Sequence, residues 1–445
     1  MKFLKSLRSL FLACLFTLAS LSNSLADFAY ATGTINIGTG AIGTNYSVTG
    51  VSPSTGAWKA IKLTWSGRSE TTDANSEQDI MPGIGVAVSP TSRWALTGQS
   101  DHSPTTTATD HYHTDVAVVA LLDIAGAVSA LADFVSFNSD GFTLVVDDVF
   151  PAALEVSYEL YGGTDLTNVA TGNFQLAATL GDSDYTGLTA FQPDFGLFVS
   201  VGTATAPPVS AVSNQLSIGA ATASSQALLA IGSIDNLATS LTQSYCRGGE
   251  IYAIISATAG VINTRASFTS FLGDGFRINR LEGASQHYVF FLALKGGSYA
   301  VGNFTTATDL NNFTESVGFV PKGMSFYSAN RAQSTADIPT AHLEWSVGSA
   351  ASSTSRAAQY VRDKDASANA DCFSAVEHDE AYINASSAAT QVIEGLMDVV
   401  SLTADPVTFV MDDADPVASF VWYVAFGDAP GADELMMSRR EIGLP

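Results

Sequence analysis

Positive charge is the first thing this chain has little of. It carries 19 Lys and Arg against 43 Asp and Glu, a formal charge of −24. An acidic surface of that size repels nucleic acid and anionic lipid, so neither is expected as a partner. Cysteine is also scarce, with Cys14, Cys246 and Cys372 the whole complement. Two distant thiols do not make a disulfide scaffold, and a chain this long buries ample core without one. Cys246 and Cys372 could pair in an oxidising compartment, but nothing in their spacing says that they meet. Lys, Glu and Arg, which decorate exposed helices, are sparse. The only helix-like stretch after the N-terminus is a weak one at Ser386 to Met397. There is no GxSxG elbow, P-loop, HExxH or CxxC, which removes the sequence signatures of the common hydrolases, nucleotide-binding proteins and zinc sites.

Long apolar runs are missing too, with one exception. Leu10 to Leu21 is interrupted only by Thr17 and Ser20, follows Lys2, Lys5 and Arg8, and precedes Ser24 and Ala26. That is the layout of a secretory signal peptide cleaved after Ala26, and the run is too short for the ~20 residues of a membrane span. Cleavage takes the basic count from 19 to 16 against the same 43 acids. The expected product is a secreted or extracellular protein at a cell surface, in a matrix or in a virion, with no membrane span in the mature chain.

What is abundant is Thr, Ser, Ala, Val, Gly and Phe, in short alternating runs. The runs repeat. "ATGTINIG" near Ala31 returns as "ATGNFQLA" near Ala170 and "AVGNFTTA" near Ala300. "GIGVAVSPTSRWALTGQ" returns as "LSIGAATASSQALLAIG" and "LEWSVGSAASSTSRAAQYV". "SDGFTLVVDD" returns as "GDGFRINRLE" and "ADPVTFVMDD", and each copy closes on an aromatic strand ending at Gly162, Gly296 or Gly427. A period of ~130 residues is a whole domain and too long for a solenoid coil.

Within the first copy eight or nine strands are expected, at roughly 31–37, 45–51, 58–66, 83–89, 92–98, 112–122, 127–137, 141–147 and 154–161. Leu154, Val156, Tyr158 and Leu160 share one face by the period of two. No amphipathic helices alternate with the strands, so a parallel α/β sheet is excluded. The expected fold is all-β: three tandem homologous antiparallel β-sandwich, jelly-roll-like domains after a signal peptide. Their bounds are 1–26 for the signal peptide, 27–163, 164–297 and 298–428 for the repeats, and 429–445 for a polar tail. The joints are short, which implies a rod or a compact cluster rather than a flexible tether.

Candidate chemistry is thin. In the polar segment 100–115, His111 and His113 share a face if the segment is a strand, and with Asp115 they form a zinc or copper set, weighed against a plain solvated loop leading into the next strand. Asp412, Asp413 and Asp415 in "VMDDADP" look like the start of a calcium loop, but no EF-hand Gly or Glu follows, and turn carboxylates are the better explanation, with a loose extracellular calcium site the alternative. Cys372 with His378 lacks an orienting third group for nucleophilic catalysis and is expected in an exposed polar loop. Tyr161, Tyr245, Trp94, Trp345 and Trp422 could stack on glycans, though strand aromatics are mostly core; Trp345 is the one expected to be most exposed.

The phrases "DGFTL", "YELYGGTDLTNVATGNF" and "VGFVPKGMSFYS" resemble a β-repeat of phage virion and tail-fibre-like proteins, also present in secreted bacterial proteins. The likeness runs from about Ala31 to Asp428. It implies a structural or adhesive β-domain and brings no catalytic residues with it. The expectation is therefore an exported, non-enzymatic structural or adhesive protein that binds itself, other surface or virion proteins, or glycans. A virion structural or tail-fibre-like part is the alternative, and a secreted glycan-active hydrolase the second. No cofactor is expected beyond a possible calcium ion.

Overall fold

The computed structural model describes residues 27–67, 69, 76–334, 337–385 and 392–430. The signal peptide expected at 1–26 and the tail beyond 430 lie outside them. The described chain is all-β, with antiparallel sheets throughout and no helix long and apolar enough to cross a membrane.

The first repeat supplies β1 (Phe28–Ile37), β2 (Asn45–Val48), β3 (Trp58–Trp65), β4 (Ser76–Gln78), β5 (Gly83–Ser89), β6 (Ser92–Ser100), β7 (Thr109–Thr114), β8 (Val119–Leu122), β9 (Val128–Asn138), β10 (Gly141–Asp148) and β11 (Leu154–Gly163). One sheet runs β1-β11-β3-β5-β6-β7, and the sheet facing it runs β2-β10-β9-β8. The same two orders recur between Asn168 and Lys295 and between Ser298 and Gly427. The stretch 112–122, expected as one strand, is β7 and β8, broken where Asp115 and Val116 turn out to solvent. In the helix-like stretch, Ile393–Ser401 is a strand with every second residue buried, and 386–391 lie outside the described residues.

The seventh strand of each large sheet comes from another repeat. Val209–Val212 of the second pairs with β7, with Ala211 opposite His111. Thr340–Ala341 of the third pairs with Thr242–Gly248 of the second. The third repeat's Cys372–Glu377 receives β4 of the first, with Glu77 opposite Ser374. Second gives to first, third to second, and first to third, so the exchange closes into a ring. Each donated strand covers a sheet edge that would otherwise present unpaired backbone groups. Each is followed by one residue in the left-handed region: Asp79 (φ 67°), Ser213 (74°) and His342 (71°). That pivot returns the chain to its own sandwich.

Ring closure buries the large sheets on both faces. All ten residues of β11 are buried. Leu154, Val156, Tyr158 and Leu160 enter the core of their own sandwich, as the period of two predicts. The alternate residues Glu155, Ser157, Glu159 and Tyr161 are buried as well, against other repeats. An axial core, distinct from the sandwich cores, joins Phe28, Trp94 and Leu96 of the first repeat with Leu229 and Phe290 of the second and Val347 and Trp422 of the third.

The recurring Asp-Gly-Phe phrase has a local cause. Asp140 accepts the Gly50 N–H at 3.0 Å, Asp274 the Gly187 N–H at 3.0 Å, and Asp405 the Gly318 N–H at 3.1 Å. A Cβ on Gly141 would lie 2.0 Å from the Val48 carbonyl oxygen, and one on Gly275 would lie 1.9 Å from that of Tyr185. The aspartate fixes the end of the neighbouring edge strand, and the glycine lets the two backbones meet.

Candidate functional site

The buried polar side chains of this protein concentrate where the repeats meet. At one end of the ring Thr109 Oγ1 donates to the Ser233 carbonyl (3.2 Å), Thr242 Oγ1 to the Asp363 carbonyl (2.7 Å), and Cys372 Sγ to the Ser100 carbonyl (3.2 Å). First binds second, second binds third, and third binds first. Ser100, Ser233 and Asp363 occupy one position of the three repeats by register. Asp363 is buried and accepts from Ser233 at 2.8 Å. Burial pushes its pKa up to about 7, with the Ser233 and Ser100 hydroxyls acting in the opposite sense.

A charged network joins the first repeat to the third. Lys62 on β3 and Glu159 on β11 form an ion pair at 2.5 Å, both buried. Lys62 Nζ also donates to Ser325 Oγ (3.2 Å) and Tyr327 Oη (2.5 Å). Glu159 Oε2 accepts from Tyr30 (2.9 Å), Tyr161 (2.7 Å) and Ser325 (2.5 Å). Burial works against the Lys62 ammonium, yet the Glu159 charge beside it holds its pKa above the ordinary value. Burial and the same carboxylate hold the Tyr30 and Tyr161 hydroxyls protonated. A lysine in the apolar strand "WKAIKLTW" was the available signal for this network.

The histidine set divides. His111 and His113 are buried on β7, not solvated in a loop, while Asp115 is exposed beyond the strand. His111 Nδ1 bonds the Ser213 carbonyl at 2.6 Å and His113 Nε2 the Thr205 carbonyl at 3.1 Å. A carbonyl only accepts, so these nitrogens carry the protons. The His113 ring also lies 5.2 Å from that of Phe290. Burial pulls both pKa values down to about 4, so both rings are neutral at pH 7. They hold the first repeat to the second across the exchanged strand.

Other expected positions move inward. Cys372 lies in a buried strand, not an exposed loop, and it and Cys246 are free thiols. Trp345 is 1% exposed, and Trp94, Trp422, Tyr161 and Tyr245 are equally enclosed, so none of them presents a face to a glycan. Asp415 is buried and bonds Thr306, Tyr382 and Asn384, which makes it a structural anchor. Asp413 is exposed. Asp412 falls beside Glu380 and Asp398, the one group of three metal-ligating side chains brought together among the described residues. A cleft of about 820 Å³ on the third repeat is lined by Arg331, Glu344, Asn384 and Glu394. There Glu344 pairs with Arg331 at 3.2 Å, and burial raises its pKa to about 7 against the pull of Arg331 and Arg362.

No known family model and no curated protein matches the chain. Among solved structures, a sucrose-bound mutant of the Bombyx mori GH32 beta-fructofuranosidase aligns over 86% of this chain and 91% of that one at 7% identity, with a TM-score of 0.10. At that score the likeness carries no argument about fold or activity.

Proposed function

We propose that this chain is an exported, non-enzymatic structural or adhesive component of a surface, matrix or appendage, working through the outer faces of its ring. The observation that supports this is the closed exchange of edge strands. It turns the inner faces of three sandwiches, and their buried charges, into one rigid interior. What remains for partners is the outside: three small sheets on an acidic surface. Such a surface selects cationic or neutral partners, among them copies of the chain bridged by counter-ions, and glycans. The resemblance to virion and tail-fibre-like repeats favours a second reading, a virion part. A pseudo-threefold ring presents three related faces, which suits docking onto a threefold partner.

The test is the mass of the mature protein by light scattering at physiological salt and divalent-ion concentrations, with binding to a glycan panel measured alongside. Assembly beyond the monomer, or glycan binding without turnover, is expected. A monomer that cleaves a glycan and loses that activity in Glu344→Gln overturns the structural reading in favour of a hydrolase.

A further inference from the structure

The three repeats serve as controls for one another at one place on the outer sheet. The bonds Val118 N to Ala132 O (2.9 Å), Ile251 N to Ala266 O (3.0 Å) and Ala381 N to Met397 O (2.8 Å) put the copies in register. The residue before the first of each pair is Ala117, Glu250 or Glu380, and the residue after the second is Asp133, Ser267 or Asp398. The bulged residue of the adjoining strand is Asp147, Leu281 or Asp412.

In the first repeat Asp133 pairs with Arg93 at 2.8 Å, and Ala117 brings no charge. In the second, Glu250 is neutralised by Arg265 at 3.0 Å and Arg247 at 3.5 Å. The third keeps all three carboxylates. Glu380, Asp398 and Asp412 each bring one oxygen within 4.8 Å of the others. One guanidinium, that of Arg356, reaches them, and it is taken by Asp398. Glu380 is 5% exposed, and its Oε2 is buried with no hydrogen-bond partner.

A buried carboxylate oxygen left unpaired beside two more carboxylates is a costly arrangement that either a proton, shared with Asp398, or a bound cation relieves. Two oxygens bound to one calcium ion at ~2.4 Å stand at most about 4.8 Å apart, and three spread evenly round it about 4.2 Å, so oxygens within 4.8 Å of one another close on one ion with a small side-chain adjustment. We propose that Glu380, Asp398 and Asp412 form a binding site for a single divalent cation of the calcium class. Glu380 supplies the buried end, Asp398 is held in place by Arg356, and exposed Asp412 leaves the outer positions to water. The ion ties the segment entering Tyr382–Ala385 to the strands Ile393–Ser401 and Val407–Asp413. The site stands apart from the structural reading of the ring, and either can fail without the other.

The experiment is calcium titration calorimetry on the chelator-treated mature protein at low salt, with magnesium as the competing ion and thermal unfolding in parallel. One site per chain is expected, with a rise in melting temperature on adding calcium. Glu380→Gln keeps the shape and should abolish the rise. Asp412→Asn, at an exposed position where folding is not at stake, should weaken binding at least about tenfold. Asp147→Asn, its counterpart in the first repeat, should bind as the parent does. No stoichiometric binding of calcium or magnesium at millimolar ion overturns the proposal. So does binding retained in both Glu380→Gln and Asp412→Asn, which marks diffuse attraction to an acidic surface.

Discussion

The Lys62–Glu159 pair allows a quantitative test of ring closure, because the chain contains its own apolar alternative. By register, Lys62 opposite Glu159 corresponds to Leu197 opposite Leu292 in the second repeat and to Ser325 opposite Val424 in the third. Lys62→Leu leaves Glu159 charged, buried and held only by hydroxyls. Glu159→Leu leaves the Lys62 ammonium with Ser325 and Tyr327. Breaking a buried pair from one side costs about 3–5 kcal/mol. The double substitution removes both charges. It leaves Tyr30, Tyr161 and Ser325 without their carboxylate acceptor, at about 1 kcal/mol each, although Tyr30 keeps the Met324 carbonyl at 3.3 Å. The expected double-variant loss is therefore about 2–3 kcal/mol rather than about 8, a coupling of roughly 5 kcal/mol. Urea unfolding followed by tryptophan fluorescence and by far-ultraviolet circular dichroism measures it. Because the axial core belongs to all three repeats, the two probes should report one transition. Additive single-variant losses, or a single-variant cost below about 1 kcal/mol, would refute a closed interface between the first and third repeats.

Two further outcomes follow from burial at the repeat interfaces. Asp363 has its pKa raised from 3.8 to about 7, so the folded state keeps a proton that the unfolded chain releases. Its contribution is most favourable below about pH 4 and is lost as pH rises to about 7, by about 4 kcal/mol for a shift of this size. Asp363→Asn should accordingly gain stability relative to the parent between pH 4 and pH 8 in paired denaturation curves; a pH-independent difference refutes the assignment. Burial also pushes the Cys246 pKa up to about 12 and that of Cys372 well above the ordinary thiol value. Neither Cys246 nor Cys372 of the folded protein should react with Ellman's reagent until denaturant is added, and reducing agent should not change the melting temperature. Rapid native labelling of either would show that the interfaces open.

The strands were legible where a repeat faces its own partner sheet. Leu154, Val156, Tyr158 and Leu160 point into the sandwich because alternation assigns residues to faces. The exchanged strands were not legible. Ser76–Gln78 and Thr340–Ala341 are three and two residues long, too short for any period to register. Their pivots are Asp, Ser and His, none of which announces a left-handed backbone as glycine does. The histidines show the same limit. Spacing placed His111 and His113 on one face of a strand, but not against the second repeat.

What the chain determined by itself was the repeated unit: Asp-Gly turns, alternating strands and thrice-written phrases settle an all-β sandwich from local sterics and hydrophobic pattern. What only the tertiary structure decided was the fate of the other faces. Glu155, Ser157, Glu159 and Asp363 read as the wet side of a strand, yet the ring buries them. Whether a polar face meets water or another repeat depends on contacts hundreds of residues apart. A period of two states which residues lie together and is silent on what covers them.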